Sequence, residues 1–204
     1  MNIFNQREAA DIIASRARSG SGLFPIIGLP RSGKSTLLLN IYESVTAPKI
    51  LIKSGEYDCF DVKSGMEKYA SLRLRIINIV NILSSADLNA VIMVDSMKDV
   101  LYDAKSSMRI GGIANEAVSR LNELNILCKQ HNIFLIGVIS TSTVNMSYNQ
   151  EIASIIAGSS TDLAICKYDY SVAMDEGETR SSIFEITTNL IATPDVIDSD
   201  NFRK

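Results

Sequence analysis

Gly28-Leu29-Pro30-Arg31-Ser32-Gly33-Lys34-Ser35 decides the fold, because it fits the pattern G-x-x-x-x-G-K-[ST] along its whole length. Glycines at both ends let backbone N–H groups turn inward around an anion. A helix opening at Lys34 aims its positive end at the same point. The motif has meaning only between a strand and a helix, and both are predicted here. Leu23-Phe24-Pro25-Ile26-Ile27 is a short apolar run before it, and Leu37, Leu38 and Ile41 give the segment from Lys34 to about Val45 an apolar face. Pro25 has no N–H for a central ladder, which places it at the start of its strand. Gly28 through Ser35, with Thr36, are therefore candidate nucleotide-binding residues. In that role Lys34 carries charge to the β- and γ-phosphates, and Ser35 offers a hydroxyl to magnesium.

Outward from the loop, strands and helices alternate. Asn5 to Arg18 has helical spacing of Ala9, Ile12, Ile13 and Ala17, and Ser19-Gly20-Ser21-Gly22 ends it. Lys49 to Lys53 reads as a second strand, Met66 to Leu83 as a long helix and Ala90 to Asp95 as a third strand apolar on both faces. Gly112 to Gln130 is helical again, and Ile133 to Ile139 is a strand. This order predicts an α/β fold, a mainly parallel sheet flanked by helices. After a short helix at Gln150 to Ala157, Asp162 to Cys166 and Ser181 to Ile186 flank a turn at Met174 to Gly177. They extend the sheet in antiparallel fashion. The whole is expected to be one domain over 1–204, with an N-terminal helix and linker at 1–22 and a polar tail at 198–204.

Composition narrows the partners. The 204 residues carry 20 basic and 23 acidic side chains, a net charge of −3, which excludes a broadly basic nucleic-acid-coating protein. Cys59, Cys128 and Cys166 are three widely spaced cysteines without a zinc pattern, and they read as buried thiols of a reducing compartment. No apolar run is long enough to span a membrane, and no signal peptide opens the chain.

Two carboxylates complete a candidate catalytic site. Asp95 ends the apolar strand Val91-Ile92-Met93-Val94, where a carboxylate can hold magnesium beside the loop through water. Its neighbour is Ser96 and not a second acid. The water-activating base is therefore expected after the second strand, at Glu56 in Ser54-Gly55-Glu56-Tyr57-Asp58, with Asp58 and Asp61 as rivals.

A phosphate loop, a glutamate after the second strand and an aspartate-serine ending the third resemble the RecA-like hexameric motors. Ile92-Met93-Val94-Asp95-Ser96-Met97-Lys98-Asp99-Val100-Leu101, Gly111-Gly112-Ile113, Ile133 to Ser142 and Gly158 to Ile165 resemble the packaging NTPases of cystoviruses, the double-stranded RNA bacteriophages. The resemblance implies a RecA-like core and magnesium-dependent hydrolysis of ATP or another NTP. It also implies a homo-hexameric ring, with single-stranded RNA or DNA and a viral capsid or procapsid as partners, in a virion or host cytoplasm. It puts a γ-phosphate sensor on Ser140, where the relative has asparagine. A channel-facing loop then holds Lys98, Lys105 and Arg109, with Tyr102 and Tyr148 as possible stacking residues. An arginine donated by the neighbouring subunit falls on Arg180, since only Arg180 and Arg203 lie beyond Arg120. Two departures stand out. Only about 22 residues precede the loop's strand where those motors carry a further domain, and Asn145 to Asn149 lacks their lever lysine. That lack and the acidic charge suit a second reading, a RecA-like assembly or regulatory ATPase acting on proteins. A small-molecule kinase is a third, disfavoured by the scarcity of arginines for a lid.

Overall fold

The computed structural model describes residues 2–28, 31–53, 72–97, 110–140, 162–168 and 182–188. Among them the order is β1 (Asn2–Phe4), α1 (Gln6–Ser19), β2 (Gly22–Gly28), α2 (Lys34–Ser44), β3 (Lys49–Lys53), α3 (Leu72–Ser85) and β4 (Val91–Asp95). Then come α4 (Ile110–Gln130), β5 (Phe134–Ser140), β6 (Asp162–Tyr168) and β7 (Ser182–Thr188). The strands form one seven-stranded sheet in the order β1-β7-β6-β2-β5-β4-β3. From β3 to β6 every pairing is parallel, while β7 and β1 join antiparallel. The expected α/β architecture, a mainly parallel sheet flanked by helices with a C-terminal antiparallel extension, is what the chain adopts.

Alternation along the central strands splits the core into two layers, because successive side chains point to opposite faces. Leu23, Ile27, Ile92, Val94, Leu135 and Ile139 pack with α3 and α4 through Ile76, Val80, Leu121 and Leu124. Phe24, Ile26, Val91, Met93, Ile136 and Val138 pack with α1 and α2 through Ile13, Leu37, Leu38 and Ile41. Helix α1 reaches its layer on Ala9, Ala10, Ala14 and Ala17, whose small side chains permit close approach. Its start is set by Asn5, whose carboxamide oxygen accepts from the N–H groups of Arg7 and Glu8 at 3.0 Å, while the Asn5 N–H donates to Glu8 Oε2 at 2.9 Å. This reciprocal cap is generally worth about 1 kcal/mol.

Two expectations need correction. Pro25 is not at a strand start but is the fourth of seven residues in buried β2. Its missing N–H is accommodated because the β2–β6 ladder begins only at Ile26. The N-terminal residues before α1 are not plain linker: Asn2–Phe4 pairs with β7, Ile3 opposite Glu185. The helix expected from Met66 is described from Leu72, and the one expected at Gln150 to Ala157 lies outside the described residues.

Candidate functional site

Strand β2 delivers Gly28 to the edge of the sheet, and α2 begins six residues later. Between them the backbone turns sharply, with Arg31 at φ 64° and Gly33 at φ 86°. Glycine adopts that region freely; Arg31 pays roughly 1 kcal/mol to do so. Two left-handed residues so close together gather N–H groups into a concave, anion-accepting surface. Gly33 caps α2 with no side-chain hydrogen bond, and the first turn holds no acid. The positive end of α2 thus faces the loop with no acidic side chain in its first turn to offset it.

Gly28 is dictated by contact. A Cβ there would lie 2.7 Å from the Cys166 carbonyl oxygen, 2.8 Å from Ser32 Oγ and 2.9 Å from Cys166 Cβ. Gly28 is in register with Cys166 on β6 and with Ser140 on β5, so the obstacle is laddered backbone that cannot step aside. Gly28→Ala is expected to destabilise the fold by about 1–3 kcal/mol, an overpacking cost. A lowered midpoint in denaturant unfolding checks it.

Lys34 is only 4% exposed, and its Nζ donates to Ser32 Oγ at 3.4 Å. Burial pushes its ammonium below the ordinary lysine value, while nearby Cys166 and Asp95 act in the opposite sense. Its neighbour Cys166 is buried, and its thiol is pushed up to about 12 by that burial, with Lys34 pulling the other way. Cys128, also buried, is likewise raised to about 12. Both are free and buried, as expected, while Cys59 lies outside the described residues. An ammonium poorly compensated by solvent is poised to gain strongly from an incoming phosphate.

Across the sheet edge, Ser35 Oγ donates to Asp95 Oδ1 at 3.1 Å. The residues lie 60 apart in sequence, and the parallel ladders from β2 through β5 to β4 bring them together. This contact fits the expected magnesium site, in which the Ser35 hydroxyl would bind the ion and the neighbouring Asp95 carboxylate would hold it through water. Among the described residues no group of three His, Cys, Asp or Glu could hold a metal.

The structure thus joins Gly28, Arg31, Ser32, Gly33, Lys34, Ser35 and Asp95 around one loop, with Thr36 in the first turn of α2. Ser140 ends β5 directly beside Gly28. Leu29, Pro30, Glu56, Asp58, Asp61, Lys98, Tyr102, Lys105, Arg109, Tyr148 and Arg180 lie outside the described residues. Sequence reasoning missed Cys166 as the floor of the loop. No local signal marks it, because its role comes from the β2–β6 pairing. Among the described residues no helix is long and apolar enough to cross a membrane.

Comparison with known proteins places these features in a lineage. Residues 13–184 match the family model of the ATPase P4 of dsRNA bacteriophage phi-12. Among solved structures, the P4 protein from bacteriophage phi6 in complex with ADP is similar at 17% identity and a TM-score of 0.48, over 72% of this chain and 50% of that one. The P4 protein from bacteriophage phi13 is similar at 24% identity and a TM-score of 0.47, over 71% of this chain and 51% of that one. The chain spans about half the length of these two proteins. No curated protein matches it.

Proposed function

This chain belongs to the family of the ATPase P4 of dsRNA bacteriophage phi-12, and from that premise we propose that it hydrolyses nucleoside triphosphates with magnesium and, as a ring of identical subunits, moves single-stranded nucleic acid. The observation that carries the reading is the Ser35–Asp95 contact beside buried Lys34. In this role the backbone amides opening α2 bind the phosphate chain, and Lys34 neutralises charge on its outer members. Ser35 and Asp95 hold magnesium, which when bound draws charge from the phosphoryl oxygens. Glu56 orients and deprotonates the attacking water, and Ser140 senses the γ-phosphate. Lys98, Lys105 and Arg109 line the channel and meet the strand's phosphates. A capsid or procapsid, in a virion or the host cytoplasm, is the corresponding setting.

A protein-directed assembly or regulatory ATPase is the second reading, favoured by the net charge of −3. Hydrolysis measured with and without magnesium, and with and without single-stranded RNA or DNA, separates the two. Magnesium-dependent turnover accelerated by the strand supports the motor. Turnover indifferent to both nucleic acids supports the assembly ATPase, and no turnover overturns both.

Glu56→Gln is expected to bind nucleotide normally and lose about 100-fold or more in turnover, the usual cost of removing a general base. Nucleotide titration alongside single-turnover hydrolysis checks this. Equal turnover, with the loss in Asp58→Asn instead, would move the role two residues along.

A further inference from the structure

Asp95 is only half-buried at the tip of β4, and a strand end is a loose place from which to hold a metal ligand. The ladder between β4 and β5 closes at the pair Val94–Gly137. Just beyond, Met97 is fully buried, and its N–H donates to the Val138 carbonyl at 2.7 Å. Asp95 still pairs with Lys53 on β3, but on its β5 side Asp95 and Ser96 span the gap between two fixed points, the Val94–Gly137 pair and the Met97–Val138 bond.

The second fixed point has a fitted seat. A Cβ on Gly137 would lie 2.7 Å from Met97 Cγ and 3.0 Å from its Sδ. The side chain lies on the bare backbone of Gly137, in the layer that holds Val94, Leu135 and Ile139. Asp95 meanwhile reaches Ser35 at the start of α2, whose core contacts belong to the opposite layer. The chain thus crosses the rim of the sheet between residues 95 and 97, the carboxylate facing Ser35 on one side and the Met97 anchor on the other. Because Met97 has no exposed surface, an added methyl group beneath it cannot be relieved by swinging the side chain into solvent.

We propose that Met97, seated on Gly137, is a positioning residue that fixes the Asp95 carboxylate opposite Ser35 and so sets magnesium affinity. The proposal rests on the reading of Ser35 and Asp95 as the metal-holding pair. It explains why a glycine interrupts an otherwise branched-apolar central strand, Phe134-Leu135-Ile136-Gly137-Val138-Ile139. No turn or positive φ requires it there.

The test is the magnesium concentration giving half-maximal hydrolysis, read beside ADP affinity in EDTA. Gly137→Ala should raise the magnesium requirement about tenfold, the scale of lost support to a metal ligand. Met97→Ala should raise it several-fold by emptying the seat. The two should not add, because alanine at 137 meets no obstacle once the methionine is cut back. ADP affinity in EDTA, which depends on the loop amides and Lys34, should stay within about twofold throughout. An unchanged magnesium requirement in Met97→Ala, or an equal loss of ADP affinity in EDTA, overturns the proposal. Should Gly137→Ala alone not fold, Met97→Ala and the double variant decide. Ser35→Ala and Asp95→Asn keep the two ideas apart. If they raise the magnesium requirement and the Met97 and Gly137 variants do not, only the positioning role fails. If they leave it unchanged, the metal-site reading fails first.

Discussion

Lys34→Ala is expected to lose about 10³-fold in magnesium-dependent turnover, whereas Lys34→Met, equally inactive, is expected to unfold at a temperature no lower than the parent. The activity loss follows from removing the buried cation of the loop, Lys34. Charge stabilisation in a water-poor site typically contributes ~10²- to 10³-fold per donor, and this donor is a full charge. The stability effect has the opposite sign because the same burial disfavours the ammonium. Lys34 has a lowered pKa in the fold, so the unfolded chain holds its proton more tightly. The cost is fully present below the folded pKa and fades as pH rises toward 10.5. Methionine keeps the apolar stem without the charge, so any advantage of Lys34→Met should shrink with rising pH. Thermal melts without nucleotide, repeated across that range, check the sign. A growing advantage at high pH would overturn the account.

The second large effect concerns Arg180. In a ring whose sites lie between subunits, an arginine from the neighbour stabilises charge on the γ-phosphate, worth ~10³-fold or more. Arg180 is the candidate because it lies just before β7 in the sequence, after Glu176-Gly177-Glu178-Thr179, a stretch whose composition reads as a turn. Arg180→Ala is expected to be inactive alone, as is Lys34→Ala. Mixed, they should recover some activity, since hybrid interfaces can combine an intact Lys34 with an intact Arg180. Hydrolysis assayed over a series of mixing ratios is the measurement. Full-rate hydrolysis by a monomer, independent of concentration, would overturn the shared site.

What was legible in the sequence was whatever rests on local pattern. The loop from Gly28 to Ser35 announces itself, and the unbroken run Val91 to Val94 can only be a buried strand with Asp95 at its tip. What was not legible depends on partners distant in the chain. Strand β1 is three residues long, too short for periodicity, and exists because β7 offers it an edge. Pro25 argued against a mid-strand position, yet the outcome turned on where the β6 ladder begins. Cys166 under the loop and Met97 on Gly137 are products of strand order, which alternation of apolar residues does not encode.

The registers of the parallel strands also give the rim of the sheet a profile. Gly28 and Ser140 stand at the same height, being direct partners. The last pair between β4 and β5 is Val94 with Gly137, so Asp95 stands level with Val138, two residues lower. At ~3.3 Å per residue that is a drop of about 7 Å. The rim is a staircase, and a linear phosphate chain lying along it would be read at two elevations. In the proposed role the lower step would meet the oxygens of Ser35 and Asp95 near the base of α2, and the upper step the far end of the chain. A one-residue slip of β5 would halve or lengthen the stair and turn every β5 side chain to the wrong face. If Ser140 senses the γ-phosphate as proposed, discrimination between a diphosphate and a triphosphate would be tied to strand register as well as to the identity of the residue at 140.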